Sequence, residues 1–262
     1  MFPERVPSRP RIGLQLYSLK RACERDIVHA LRLARQLSID GVEFAGLYGR
    51  KPRELRALCV DQGLVPIGCH MEWHELGEGR DRTERAIEQG RELGVGYLVC
   101  HSLPWSMIDS RDAWLRTAEE LSRIGEMVAR GGMRLAFHNH CIELGLREGE
   151  PGLALLYRHA DPRWLRMELD VGWCDVTGYL RSVDIIREFG SSLELLHIKE
   201  ITGVGDPTAH VLGQGAMDLP AICALGRSLH VPWYIVEHEG DEEDPLEALA
   251  AGVTYLKGLL YH

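Results

Sequence analysis

The stretch Arg134-Leu-Ala-Phe-His-Asn-His140 joins a short apolar run, Arg134–Phe137, to two histidines. This pattern indicates a buried strand whose end carries functional groups. Similar runs recur at intervals of roughly 20–40 residues, which is the spacing of repeated strand–helix units. The seven others are Ile12–Tyr17, Gly41–Ala45, Leu64–Cys69, Tyr97–Cys100, Leu165–Leu169, Leu193–Leu196 and Trp233–Val236.

The segments between these runs have the periodicity of amphipathic helices, for example over Ile27, Leu31 and Ala34. Asp218 and Asp244 each stand before a helix start that contains proline. Eight strand–helix units in about 250 residues predict an α/β fold, a single (β/α)8 TIM barrel. We expect one domain over residues 1–262, with 1–11 as an N-terminal extension. A doubly wound sheet is the alternative, but the first turn lacks the G-x-G-x-x-G pattern.

Charge and cysteine usage exclude several classes of protein. The 262 residues carry 30 Lys and Arg against 39 Asp and Glu, a net charge of −9, which argues against nucleic acid as the main partner. No apolar run approaches the length of a transmembrane helix, and no signal peptide is visible, so we expect no membrane association. The seven cysteines contain no C-x-x-C pair, which predicts free thiols and a cytoplasmic protein.

Histidines and carboxylates follow six consecutive predicted strands. Because catalytic groups of a barrel lie at the carboxyl ends of its strands, these side chains are expected to converge on one rim. Imidazoles and carboxylates together predict one divalent metal ion, Mn²⁺, Mg²⁺, Zn²⁺ or Co²⁺, among which the sequence does not choose. The residues are His70, His101, His138, His140, Asp170, His197, Lys199, Glu200, Glu237 and Glu239.

The side chains at this rim differ in how strongly they indicate a site. Asp170 and Glu237 directly follow apolar runs, where a buried carboxylate is costly unless it is paired or binds metal. A strand-end histidine is otherwise often an ordinary hydrogen-bonded residue, and a tryptophan at a loop is either a sugar-stacking platform or an apolar wall. As substrate-binding residues we consider His70, His101, His138, Trp105, Trp173 and Glu239.

Several motifs, in order along essentially the whole chain, resemble the xylose isomerase-like TIM-barrel superfamily of sugar phosphate isomerases and epimerases, inosose dehydratase and endonuclease IV-type enzymes. They are Gly13-Leu-Gln-Leu-Tyr-Ser18, His138-Asn-His-Cys-Ile-Glu143, Leu169-Asp-Val-Gly-Trp173 with Gly178, His197-Ile-Lys-Glu200 and Gly213-Gln-Gly215. The resemblance is specific for the superfamily and uninformative about the substrate.

The resemblance implies a metal held by an acid after the fifth strand, Asp after the sixth, His after the seventh and Glu after the eighth. These positions are Glu143, Asp170, His197 and Glu237. Many relatives carry a Glu at the very end of the fifth strand, where this chain has His138. The fifth-strand ligand is therefore His138 or Glu143, and the His-Asn-His-x-x-Glu pattern favours Glu143.

The expected activity is that of a metal-dependent isomerase or epimerase that removes a proton next to the carbonyl of a keto-sugar or polyol. The candidate bases are His140, Glu143 and Glu237, with Lys199 polarising an oxygen. Elimination from an inosose or a 3-keto-glycoside by a dehydratase is the alternative on the same scaffold. An endonuclease IV-like phosphodiesterase and a non-catalytic sugar-binding barrel rank lower.

The segment Ile201–Met217 follows the seventh predicted strand, where barrels often hold a phosphate. It contains no Lys or Arg, although its glycines leave backbone amides that could cradle an anion. The lack of cations favours an unphosphorylated small-molecule substrate. Barrels of this type frequently pair, so a homodimer is one expectation.

Overall fold

The computed structural model describes residues 9–240 and 244–261. Eight parallel strands close into a barrel in which each strand pairs with its neighbours in sequence and the last pairs with the first. The fold is the predicted single (β/α)8 barrel. The strands are β1 Arg11–Gln15, β2 Gly41–Phe44, β3 Val65–Met71, β4 Tyr97–Cys100, β5 Arg134–His138, β6 Leu165–Asp170, β7 Leu193–Ile198 and β8 Trp233–Val236.

Helices surround the barrel, and none in the described part of the chain is long and apolar enough to cross a membrane. Two small antiparallel hairpins interrupt the loops, Leu146–Arg147 with Glu150–Pro151 and Ile201–Gly203 with Asp206–Ala209. The helices are α1 Lys20–Arg25, α2 Ile27–Gln36, α3 Pro52–Gln62, α4 Trp73–Leu76, α5 Arg80–Leu93, α6 Arg111–Arg130, α7 Gly152–His159, α8 Val171–Asp175, α9 Ser182–Phe189, α10 Leu219–Ser228 and α11 Leu246–Tyr261.

The local signals for helix ends are confirmed where the structure describes them. Asp218 caps α10 by accepting a hydrogen bond from the Ala221 amide, and Asp244 accepts one from Leu246. The N-terminal extension predicted for residues 1–11 falls largely outside the described residues, which begin at 9, and Arg11 already belongs to β1. All seven cysteines are free thiols, as predicted.

The side chains inside the barrel form layers, and an apolar middle layer separates the polar groups at its two ends. A middle layer of apolar side chains fills the barrel: Ile67, Tyr97, Val99, Ala136, Leu195, Trp233 and Ile235. Gly41 makes room for it, since a Cβ there would lie 2.4 Å from the Val65 carbonyl oxygen. Below this layer Arg134 and Arg166 pair with Glu194. Above it, at the carboxyl ends of the strands, lie the imidazoles and carboxylates described next.

Four strands extend further than the sequence indicated, namely β3, β5, β6 and β7, and three of these extensions include a histidine. His70, His138 and His197 all lie inside strands rather than in the loops that follow. The register pairs His138 with Glu168 and Asp170 with His197. The first strand is shorter than predicted, because a 3-10 turn begins at Leu16.

Candidate metal centre

Four buried side chains at the barrel mouth form a group that we call the outer group: His138, Asp170, His197 and Glu237. One nitrogen or oxygen of each lies within 4.8 Å of the others. Asp170 caps α8, as its Oδ1 accepts a hydrogen bond of 2.8 Å from the Trp173 amide. Its Oδ2 is buried and has no hydrogen-bond partner. Burying such an oxygen is costly unless a positive charge lies close to it, and Lys199 Nζ, 3.5 Å away, supplies one.

A second set of contacts lies deeper in the barrel and is centred on Glu168. Its Oε1 is 3.0 Å from Nε2 of His70, 2.9 Å from Nδ1 of His138 and 3.1 Å from Nε2 of His197. Glu43 Oε2 lies 2.7 Å from the same Nε2 of His197 and 3.1 Å from Nε2 of His70. We call His70, Glu43 and Glu168 the inner group.

The inner group determines which histidine nitrogens are available to an ion. Nδ1 of His138 and Nε2 of His197 face inner carboxylates, so Nε2 of His138 and Nδ1 of His197 remain. Nδ1 of His197 lies 3.2 Å from Glu237 Oε2, within the outer group. Carboxylates that accept the second ring N–H commonly fix the tautomer of metal-binding histidines. The outer group therefore fits a divalent ion, with two nitrogen and two oxygen donors.

The buried charges of the inner group balance one another. Although burial lowers it, the negative charge of Glu43 and the hydrogen bond to Glu168 raise the pKa of His70 to about 9. The pKa of His197 is also raised against the effect of burial, chiefly by Glu168. In turn, although burial and the charge of Glu43 act the other way, the charge of His197 and the hydrogen bonds to His138 and His197 lower the pKa of Glu168 to about 2. Without an ion, Glu43 and Glu168 thus favour the protonated forms of His70 and His197, and an ion bound at Nδ1 of His197 would displace the proton there.

Lys199 lies between the outer group and Glu239 at the rim of the barrel. Its Nζ is 2.5 Å from Glu239 Oε1 and 3.5 Å from oxygens of both Asp170 and Glu237. It also lies 4.7 Å from the centre of the Trp173 ring. Burial raises the pKa of Asp170 to about 6, while Lys199 opposes that rise. The ammonium group is therefore held by three carboxylates.

Two further histidines extend the site toward solvent. The His101 ring stacks on His70 at 5.1 Å, and the His140 ring lies 5.0 Å from His138 and 6.0 Å from Trp173. Burial, reinforced by the charge of His70, lowers the pKa of His101 to about 4. Burial and His101 likewise lower the pKa of His140 to about 4. Both imidazoles are neutral at pH 7 and can accept a proton or a hydrogen bond.

The fifth-strand ligand favoured on sequence, Glu143, is not part of either group. It lies in a 3-10 turn beyond β5, and its Oε2 accepts a hydrogen bond of 2.8 Å from the His140 amide. His138, the alternative, is the β5 residue in the outer group. Trp105 is 60% exposed and has the Arg147 guanidinium over its ring, whereas Trp173 lies against His140 and Lys199.

Sequence reasoning did not select Glu43 and Glu168 as site residues. Both are fully buried, and each sits within a strand of otherwise apolar character. The burial cost that singled out Asp170 applies equally to them. Gln15, also unselected, donates a hydrogen bond of 3.0 Å to Glu43 and completes the inner layer at β1.

Comparisons with known proteins agree with this fold. The family described as xylose isomerase-like TIM barrel matches residues 31–259. A crystal structure of a sugar phosphate isomerase/epimerase from Parabacteroides distasonis is 24% identical, covering 97% of this chain and 96% of that one, with a TM-score of 0.79. A probable 3-DHS dehydratase from Bacillus anthracis is 15% identical, covering 94% and 98%, with a TM-score of 0.72.

The IOLI protein, solved with a zinc atom, is 14% identical over 95% of this chain and 97% of that one, with a TM-score of 0.72. An inosose dehydratase from Clostridium botulinum is 23% identical over 167 residues, 56% of this chain. That match spans about half the length of the curated relative. At these identities the solved structures establish the shared fold alone.

Proposed function

The chain belongs to the xylose isomerase-like TIM-barrel family, and from that premise we propose that it is a divalent-metal-dependent isomerase or epimerase of a keto-sugar or related polyol. The observation that carries the proposal is the convergence of His138, Asp170, His197 and Glu237, in which the buried Oδ2 of Asp170 accepts no hydrogen bond and has Lys199 Nζ 3.5 Å away. When bound there, an ion such as Mn²⁺, Mg²⁺, Zn²⁺ or Co²⁺ would supply a Lewis acid that polarises a substrate carbonyl or hydroxyl oxygen.

The protein's own residues would then move the proton. His140 is neutral at pH 7 because burial lowers its pKa to about 4, and it lies at the mouth beside Trp173. It is our first candidate for the base that removes the proton next to the carbonyl, with Glu143 and Glu237 as the alternatives. Lys199 stays charged, since its raised pKa reflects three carboxylates acting against burial. Its N–H groups would stabilise the oxygen that gains negative charge.

The substrate-binding roles expected from the sequence remain part of this proposal. His101 and Glu239 have side chains that are 25% and 30% exposed, so they can meet hydroxyl groups of a sugar at the mouth. Trp173 offers a ring face beside the candidate base. His70 and His138 lie deeper in the barrel, so their contribution to substrate binding would be indirect, through the inner group and the outer group respectively.

A dehydratase is the second candidate, favoured by the two dehydratases among the relatives. Both reactions begin with removal of the proton next to a carbonyl. They differ in the next step, because elimination expels a hydroxyl group from the neighbouring carbon, whereas isomerisation or epimerisation returns the proton to carbon.

Deuterium exchange tests the shared first step. The protein, loaded with Mn²⁺ and checked for metal content, is incubated in D₂O with ketoses, inososes and 3-keto-glycosides. We expect deuterium at the carbon next to the carbonyl for at least one compound, and loss of that exchange in Asp170→Asn. Formation of an unsaturated product would identify the dehydratase. Exchange with none of the compounds would contradict both functions.

A further inference from the structure

The loop after β7 encloses one of the protein's own carboxylates. Glu200 is 1% exposed, and its Oε2 accepts a hydrogen bond of 3.0 Å from the Gly213 amide. Its Oε1 accepts one of 2.9 Å from the Met217 amide. Gly215 permits this wrapping, because a Cβ there would lie 2.6 Å from Cγ of Glu200. The loop is thus built around an internal anion.

This is the place where TIM barrels frequently hold a substrate phosphate, in the loops after the seventh and eighth strands. Such sites use free backbone amides and cations. Here two of the loop amides are already bound to Glu200. The segment Ile201–Met217 contains no Lys or Arg, and the neighbouring Lys199 is engaged by Glu239.

We infer that the substrate is uncharged, an unphosphorylated keto-sugar or polyol, and that Glu200 occupies the position at which this loop would otherwise bind a phosphate. The inference rests on the proposed function and narrows its substrate class. Asp170, Glu237 and Glu239 would be balanced by Lys199 and one divalent ion, which leaves no surplus positive charge at this side of the mouth. A phosphate there would meet carboxylates, and like charges brought together oppose binding.

Cations do lie elsewhere near the mouth. A cavity of about 410 Å³ between the loops after β1 and β8 is lined by basic residues that include Lys20 and Arg32. The acidic side chains of Asp26, Glu239 and Asp244 line the same cavity. The inference assigns no phosphate to this cavity, and the second experiment below examines it directly.

The first experiment compares matched pairs of substrates. The Mn²⁺-loaded protein is incubated in D₂O with D-fructose and D-fructose 6-phosphate, and with D-ribulose and D-ribulose 5-phosphate. We expect exchange next to the carbonyl to be at least about 100-fold slower for the ester of any reactive pair, since charge repulsion discriminates strongly. An ester that exchanges as fast as its neutral partner would overturn the inference and leave the proposed function intact. Exchange with no sugar in either pair or in the wider panel would instead contradict the proposed function.

The second experiment tests the inference by phosphate binding and needs no measurement of enzyme activity. Inorganic phosphate is titrated into ¹⁵N-labelled protein, and amide signals are followed at the Glu200 loop, for Gly213 and Met217, and at the cavity, for Lys20 and Arg32. We expect no saturable shift in the wild type and binding at least about tenfold tighter in Glu200→Ala, which frees both amides. Glu200→Gln, which keeps the shape of the side chain, serves if the alanine variant does not fold.

The control is Glu194→Gln, a buried glutamate at the opposite end of the barrel, in which the amide signals of Gly213 and Met217 should respond to phosphate no more than in the wild type. Saturable binding of phosphate by the wild type would overturn the inference, whether at the Glu200 loop or in the cavity lined by Lys20. Equal, negligible binding by the wild type and both Glu200 variants would also overturn it, because Glu200 would then not be occupying a phosphate position.

Discussion

Oε1 of Glu168 lies 2.9 Å from Nδ1 of His138, between two residues that the strand register pairs directly. The same oxygen lies 3.1 Å from Nε2 of His197 on the other neighbouring strand. One buried carboxylate thus orients both histidines of the outer group. Its other oxygen, Oε2, is buried without a partner, so no further hydrogen bond competes for this role.

Replacing Glu168 should therefore weaken metal binding without removing a ligand. In Glu168→Gln the amide oxygen can still accept at the position of Oε1, but the negative charge that strengthens its contacts to both histidines is lost. We expect the affinity for Mn²⁺ or Co²⁺ to fall about 10- to 100-fold, the usual effect of losing such a partner. Chelator competition measures the affinity, and the visible bands of bound Co²⁺ report altered ligand geometry.

Glu194→Gln is the matched control, since it neutralises another buried glutamate that contacts arginines instead of the candidate ligands. It should leave metal affinity unchanged, whatever it does to stability. Unaltered Co²⁺ bands and affinity in Glu168→Gln would show that Glu168 does not orient the two histidines.

Metal and stability should be linked through Asp170. An ion at 100 times its dissociation constant stabilises the folded state by about 2.7 kcal/mol, which corresponds to a rise in Tm of roughly 5 °C for a chain of this size. In Asp170→Asn we expect that rise to disappear. The metal-free variant should not be less stable than the metal-free wild type, because it removes a buried carboxylate whose pKa burial raises to about 6. Thermal melts with Mn²⁺ and with EDTA measure both effects, and an unchanged Mn²⁺-induced rise in the variant would contradict the assignment.

The fold could be predicted because buried parallel strands appear in a sequence as short apolar runs between polar turns. All eight apolar runs are strands, and they pair in the order in which they follow one another along the chain. The strand ends were harder to place. His70, His138 and His197 are polar and interrupt the apolar runs, so the sequence pattern ended one or two residues before the strand did. Hydrogen bonds to buried carboxylates are what allow these imidazoles to remain inside the barrel.

The site could be predicted only in part. Asp170, His197 and Glu237 converge as the resemblance implied, but the choice between His138 and Glu143 depends on where the chain turns after β5. That turn places the Glu143 carboxylate against the His140 amide, a local contact that spacing does not reveal.

Mutation of the two alternatives should separate them. His138→Ala removes a nitrogen of the outer group and should abolish stoichiometric metal binding. Glu143→Gln keeps an acceptor for the His140 amide and should retain the metal, while exchange activity falls only if Glu143 takes part in proton transfer. Metal content after dialysis, measured by elemental analysis, distinguishes the two. Loss of metal from Glu143→Gln together with its retention in His138→Ala would restore the ligand set that the resemblance favoured.

Acid should destabilise the metal-free protein through its neutral histidines. The pKa of His140, which burial and His101 lower to about 4, lies below its value near 6.5 in the unfolded chain. The unfolded state therefore binds the proton first, so the stability from this group is fully present above about pH 6.5 and is lost as the pH falls toward 4.

Asp170 acts in the opposite direction over part of this range, so the measurement compares a variant with the wild type. Between pH 7.5 and 5 the free energy of unfolding in urea should fall by about 1–2 kcal/mol more in the wild type than in His140→Asn, a figure reduced for the partial exposure of the ring. The paired glutamates Glu43, Glu168 and Glu237, whose pKa values are lowered, keep their charge through this window. Equal losses in wild type and variant would mean that folding does not lower the pKa of His140, which would contradict the environment assigned to this candidate base.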